Sequence, residues 1–387
     1  MSILNSVKKE DFYLQITEKN NVLSGYESLK FRHDNSHLYN NNDLFYPEHV
    51  VSVQLFPLYL KPTFCLKPNN YVSKVSQDKI NGYAIVLKEN IHFETFFTKE
   101  YSKSFRANIK RFVSRFETCF NAGYKMFYGS ISENDYQILM HALHSMLTTR
   151  FNQRNDDNKF LKNWKHYEST TYELINNRKA SLFVIYNNTV PVHVCINYHF
   201  DDILFVSIPS YDIDYAKFAL GNISIYKLLE WSINNNYKML DMAYGDLEYK
   251  RRWSTLIYAF EHHIFYTNNA RQKLLARAEI GKIKFKNYLK SKNLDDKLKY
   301  LKNKYLKPKN NFIEASYTIE SIEFINNNFH EIDFQTENFE LSFLRKPIND
   351  FLYSNKEHVN DLKILEINYK KVYIFEGKEV VKKLTLH

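Results

Sequence analysis

Leu240–Trp253 reads LDMAYGDLEYKRRW, and its neighbours on both sides decide the fold class. The apolar residues of Tyr237–Ala243 predict a strand and the charged run Asp246–Trp253 a short polar helix. Upstream, Asn222–Asn235 predicts a helix preceded by a loop ending at Gly221, and before that Ile203–Ile208 predicts a strand. Asp201–Asp202 forms a tight turn back to Val190–Tyr198, which alternates Val190, Val192, Val194, Ile196 and Tyr198 against His193, Cys195, Asn197 and His199. Asn187–Asn188 is a second hairpin turn leading back to Ser181–Tyr186. Downstream, Ile257–Thr267 is a further strand. A meander, a crossover helix and a returning strand make an α/β fold with a mixed sheet.

Further out the pattern turns helical. In Lys99–Asn121, Phe105, Ile109, Phe112, Val113 and Phe116 recur at spacings of three and four, and Gly123 is read as a left-handed helix stop before a strand at Tyr124–Tyr128. Ser132 and Asp135 form a capping box for a helix with the stripe Tyr136, Leu139, Met140, Leu143, Met146 and Leu147. Asn152–Lys159 reads as a loop and Trp164–Asn177 as a helix. The first hundred residues hold short strand-like runs at Val50–Leu60 and Gly82–Leu87. After Arg271 a helical region carries Leu294, Leu298, Leu301 and Tyr305 on one stripe and ends at Pro308. Strands at Phe339–Leu344 and Lys371–Phe375 predict a small C-terminal α/β domain over 309–387.

At 387 residues the chain is long enough for two or three domains. Cys65, Cys119 and Cys195 are far apart and form no disulfide framework, which fits a reducing compartment. The longest apolar runs fall far short of the roughly 20 residues that span a bilayer, and residues 1–20 lack a signal-like apolar core. A cytoplasmic location with no transmembrane segment is the expectation. Ten lysines and only Asp295 and Asp296 fall within Gly281–Pro308, which accounts for eight of the formal net charge of +10. This excludes a uniformly basic nucleic-acid-binding body. It leaves one basic segment, 271–308, that either is a solvated helix face or contacts an anionic surface or RNA.

Asp241, Gly245, Tyr249 and Lys250 match an Asp–Leu–Gly–x–Gly–x–x–x–Tyr–Lys element, Tyr211–Asp212 follows the third strand, and Gly221 ends a small-residue loop before a helix. With the basic helix around Ser104, Arg106, Asn108 and Arg111, these residues resemble the cellulose-biosynthesis (CelD-type) branch of the GNAT acyltransferase superfamily, over roughly Lys99–Trp253. Ala243 stands where the first glycine of the element belongs, Leu220 where proline commonly precedes the loop glycine, and the superfamily's phosphate loop is reduced to Gly221.

The resemblance implies a GNAT-like acyl-CoA N-acyltransferase fold in tandem halves. A degenerate half would occupy 1–98 and a catalytic domain 99–270. It implies acetyl-CoA as acyl donor, no metal, and a small amine such as an amino sugar as acceptor. The pantetheine edge would be Leu204, Phe205, Val206, Ser207 and Ile208, and the pyrophosphate would meet Gly221, Asn222, Ile223 and Ser224 at a helix start. Asp241 would be the base or anchor and Tyr249 the acid. Tyr211, Asp212, Lys250, Arg251 and Arg106 would hold substrate. Each has a plainer reading: Asp241 as a helix cap or a partner of Lys250, Tyr249 as one of thirty tyrosines packing a core, and Lys250–Arg252 as a solvated run. Two alternatives stay open: a non-catalytic scaffold on a degenerate fold of this type, and an aminoacyl-tRNA-dependent transferase. His141 and His144 lie three apart on a helix without a third ligand, and His262–His263 alternate faces of a strand and cannot share an ion.

Overall fold

The computed structural model describes residues 7–154, 159–292, 316–322, 330–334, 339–368 and 371–387. The chain is α/β and divides into two compact units, neither continuous in sequence. The first comprises 1–91, 197–207 and 232–308, and the second 92–196, 208–231 and 309–387.

In the first unit, neighbouring strands run in the order Val7–Asp11, Val50–Pro57, Leu256–Thr267, Asn70–Val86, Met239–Tyr244 and Ile203–Tyr211, the last through its residues 203–207. Pairing is mixed. Val7–Asp11 is parallel to Val50–Pro57, and Ile203–Tyr211 to Met239–Tyr244, while Leu256–Thr267 and Asn70–Val86 are antiparallel. Asn70–Val86 is a 17-residue strand of which the sequence pattern reveals only the last part, because its outer half is polar. A three-stranded sheet, His37–Asn40, Tyr26–Phe31 and Leu60–Phe64, completes this unit with the helix Ala270–Ser291. That helix lays Ala276 and Ile283 onto Val50, Val75 and Ile264. The stripe expected at Leu294, Leu298, Leu301 and Tyr305 lies outside the described residues.

In the second unit the helix Glu133–Arg154 buries all six stripe residues from Tyr136 to Leu147, and Ser132 Oγ accepts from the Asp135 N–H at 3.1 Å. The helix Trp164–Asn176 also forms. Ala122–Phe127, Ala180–Asn187 and Val190–Phe200 are neighbouring strands, in that order. Gly123 is not a left-handed stop. The helix Lys103–Cys119 ends at Phe120 in an extended conformation, and Gly123 sits inside the strand Ala122–Phe127. Despite the alternation of Val190–Tyr198, both faces of Val190–Phe200 are covered from Val192 onward, and Cys195 is fully buried. Phe339–Leu344 is a 3-10 turn rather than a strand. The C-terminal residues form a five-stranded sheet, with Phe351 of the helix Arg345–Asn355 5.6 Å from Phe375. Among the described residues no helix is long and apolar enough to cross a membrane.

Candidate active site around Asp241

Met239–Tyr244 is held on both sides. Its parallel register covers Ile203↔Met239, Leu204↔Leu240 and Phe205↔Asp241, and Val206 and Ser207 lie past it. On the other edge the antiparallel register against Asn70–Val86 shifts between Asp241 and Tyr244. The cause is local. Asp241 Oδ1 accepts from the Ala243 N–H at 2.7 Å, and Ala243 takes a left-handed φ of 60°. This is a bulge of the kind whose left-handed position ordinarily belongs to glycine. The glycine absent from the sequence element therefore has a structural counterpart: alanine adopts the glycine conformation, and the register shifts just past the last parallel pair.

Asp241 is fully buried. Its Oδ2 accepts from Tyr258 at 2.7 Å and from Tyr59 at 3.0 Å, and the two rings meet edge to face at 4.6 Å. Burial pushes the carboxyl above its ordinary value, and the hydrogen bonds from Tyr258, Ala243 and Tyr59 pull the other way. The three hydroxyls of Tyr13, Tyr59 and Tyr258 are pushed well above the normal phenol range, by burial first and then by the Asp241 charge. Tyr13 packs edge-on against Phe205, Tyr244 and Phe260, and among the described residues its buried hydroxyl has no hydrogen-bond partner.

Gly82 makes this arrangement possible. It pairs with Tyr258 across the sheet, and a Cβ there would lie 2.1 Å from Tyr258 Cζ and 2.5 Å from the hydroxyl. A side chain at that position would displace the ring that donates to Asp241.

After the strand, Gly245 turns with φ 105° into the helix Glu248–Trp253. Asp241 does not cap this helix; Leu247 occupies the N-cap without a side-chain bond. Lys250 turns inward instead. It is 7% exposed and donates to the Tyr244 carbonyl at 2.9 Å. Burial lowers its ammonium to about 8, against the pull of the nearby Asp241 charge. Arg251 forks onto the exposed Asp246 carboxylate at 2.5 and 2.8 Å, and Asp246 also accepts from Tyr83 at 2.6 Å. Tyr249 is half-buried on the same helix.

A buried, hydrogen-bonded carboxylate beside a depressed lysine, at the end of a strand where parallel pairing stops, is suited to handling a proton next to a strand edge. Residues 103–251 match the family model described as an acetyltransferase (GNAT) domain. The chain carries a GNAT-type acyltransferase domain. No curated protein matches the chain. Among solved structures, a conserved protein of unknown function from Bacteroides thetaiotaomicron aligns with a TM-score of 0.40 at 10% identity, over 56% of this chain and 70% of the other. FemX aligns with 0.37 at 7% identity, over 50% and 62%. The C-terminal domain of an Agrobacterium fabrum protein, described as a lysylphosphatidylglycerol synthetase, aligns with 0.35 at 6%, over 59% and 71%.

The other residues singled out in this GNAT domain have specific local settings. Leu204, Phe205, Val206 and Ile208 are buried and Ser207 is half-buried. Gly221, Asn222, Ile223 and Ser224 lie in the first turns of Leu220–Asn234, as a helix start; the helix begins one residue before Gly221, so that glycine is inside it and does not end a loop. The left-handed residue before that helix is Ala219, and a Cβ on Gly221 would meet nothing within 4 Å. Asp212 caps the 3-10 turn Ile213–Phe218 through the Asp214 N–H and pairs with Arg345 at 2.5 Å. The Tyr211 ring lies under the Arg150 guanidinium at 4.8 Å. Arg106 donates to the carbonyls of Thr98 and Tyr101. Among the described residues no group of three or more potential metal ligands gathers.

Sequence reasoning missed Tyr13, Tyr59, Tyr258 and Gly82. The only available signal was Gly82 itself, a glycine inside a strand pattern, which marks a close approach.

Proposed function

We propose that the chain is an N-acyltransferase of the cellulose-biosynthesis-type branch, moving an acetyl group from acetyl-CoA to the amine of an amino sugar or similar small molecule in the cytoplasm. One observation carries the reading: the Asp241 carboxylate, held by Tyr59, Tyr258 and Ala243, lies at the point where Met239–Tyr244 parts from Ile203–Tyr211. A strand edge past its last pair offers amide groups to a peptide-like pantetheine arm, so Val206 and Ser207 would hold the donor there. Acetyl-CoA, when bound, supplies the activated thioester. Asp241 has all its near donors inside the protein and is the anchor that sets the tyrosines. Lys250, near 8, takes up the proton that the acceptor amine loses. Tyr249 remains the proposed acid for the leaving thiolate.

Isothermal titration of the purified chain with acetyl-CoA tests the donor, and absence of heat at millimolar ligand would sink it. Asp241→Asn is expected to abolish turnover and leave acetyl-CoA binding largely intact.

A second reading is a non-catalytic binding protein on this fold. It is favoured by the fact that Arg106, Asp212 and Arg251 already spend their hydrogen-bonding groups or charges inside the protein. In that case turnover stays undetectable with any acyl-CoA while a ligand still raises the melting temperature.

A further inference from the structure

Beneath the helix Ala270–Ser291, on the side of the first unit's sheet that carries His262, lies a cavity of about 200 Å³. Lys9 of the strand Val7–Asp11 and Lys282, Lys286 and Lys290 of the helix line it, with Glu279 the one carboxylate among its lining residues. Among the described residues none of Lys9, Lys282 and Lys286 has a carboxylate within 4.0 Å, and Lys290 reaches only the Asp78 carbonyl, at 3.5 Å.

The helix spacing makes this arrangement costly. Lys282, Lys286 and Lys290 follow one another at i, i+4, and like charges at that spacing destabilise a helix. A solvated face is ordinarily built the other way, with glutamates alternating. Here every lysine of the row is turned to one cavity, and a fourth comes from a strand.

The floor of the cavity is polar and partly unused. Among the described residues His262 Nδ1 is buried without a hydrogen-bond partner, and burial, together with His263, Lys286, Lys290 and Lys9, holds the ring neutral, at about 4. A neutral imidazole beside cations offers a hydrogen bond without adding charge. Gln77 turns its amide oxygen to the Leu55 N–H at 3.1 Å, which leaves its two N–H donors for the cavity.

We infer that this cavity is a binding site for a phosphorylated small molecule, with a phosphate or diphosphate group seated among Lys9, Lys282, Lys286 and Lys290 and hydrogen-bonded to Gln77 and His262. A space of about 200 Å³ suits a compact polyanion better than a nucleic-acid backbone or a lipid surface, both of which present a broad face. The site is separate from Asp241: Tyr258 serves the Asp241 cluster, whereas His262 of the same strand serves the cavity.

The probe is inorganic diphosphate, titrated calorimetrically into the full chain. Binding is expected, tighter than that of inorganic phosphate, and it should weaken about tenfold or more in Lys282→Glu/Lys286→Glu, the loss of charged hydrogen bonds. Both lysines are exposed, so the variant should fold, and its melting temperature without ligand should equal or exceed that of the parent. Diphosphate should raise the melting temperature of the parent more than that of the variant. Acetyl-CoA binding should be the same in parent and variant, which separates this site from the proposed donor site. No binding of diphosphate at millimolar concentration, or binding unchanged in the double variant, overturns the inference. So does binding of single-stranded RNA or anionic phosphatidylserine vesicles that is lost in the variant but not displaced by diphosphate.

Discussion

His262 and His263 are consecutive residues of one strand with opposite surroundings. His263 has both ring nitrogens engaged, Nδ1 with the Tyr26 hydroxyl and Nε2 with Glu261, each at 2.8 Å, inside a cage of Tyr26, Phe56 and Phe64 rings. His262 faces lysines and has a buried nitrogen without a partner among the described residues. The same contrast holds along the strand. On the Tyr258 side, Asp241 and Lys250 find their bonds within the protein; on the His262 side, charges of one sign stand together. Tyr258 and His262 are four residues apart, and the strand breaks register against Val50–Pro57 between Glu261 and His263; that irregularity, together with alternation, separates a self-sufficient polar interior from a face that gains by taking up an anion. The lesson is that burial does not distinguish chemistry from architecture. The pairing of the buried groups does.

The sharpest way to break the contrast is Gly82→Ala. A methyl at 2.1 Å from Tyr258 Cζ must displace the ring and unseat Asp241. The expected cost is about 1–3 kcal/mol in stability from overpacking and about 100-fold in turnover. Denaturant melts and initial rates measure both, and an unchanged variant would mean that the Tyr258–Asp241 bond does not organise this side.

The next largest effect is the pH profile of transfer. Lys250 must be neutral to take a proton, so the rate should climb about tenfold per pH unit up to about 8 and level off above it. The sign for stability is the same. A lysine depressed in the folded state costs folding energy while charged, so its contribution improves as pH rises from about 8 toward the unfolded value. A rate that is flat from pH 6 to 9 in the parent would remove Lys250 from the chemistry.

Ala243→Gly is expected to stabilise the chain by about 0.5–1 kcal/mol, because glycine adopts φ 60° without the Cβ penalty and part of the gain is lost to its freer unfolded state. A thermal melt that moves down would show that the alanine methyl has a packing role. The smallest effect belongs to the other face: Lys286→Glu should stabilise the helix by a few tenths of a kcal/mol, seen as a shift in urea midpoint that fades at high salt.

The sequence was most legible where contacts are local. The stripe from Tyr136 to Leu147, the Ser132 cap and the hairpin turns at Asn187–Asn188 and Asp201–Asp202 all follow from periodicity and turn chemistry. Asp241 and Lys250 were visible because a single short element holds both. What surrounds them was not. Tyr59 meets Asp241 across 182 residues of sequence and Tyr258 across 17, and nothing in a chain of thirty tyrosines marks these two. Asp212 was read as a substrate ligand, and its partner Arg345 lies 133 residues downstream. Polar residues declare their type in sequence, but whether their charge is already spent depends on distant neighbours.

The broken sequence of the first unit carries a consequence in time. Tyr59 leaves the ribosome 182 residues before the carboxylate it will serve. At 5–20 residues per second that interval is on the order of 10–40 s. During it the strand Val50–Pro57 and the long strand Asn70–Val86 have been made, but Leu256–Thr267, the neighbour they share, has not. The nascent chain therefore exposes two unsatisfied sheet edges for tens of seconds. Yield in a cell is then set by how these edges are shielded as much as by the stability of the finished fold. For the same reason, a fragment cut at 103–251 would carry the carboxylate without either tyrosine that donates to it.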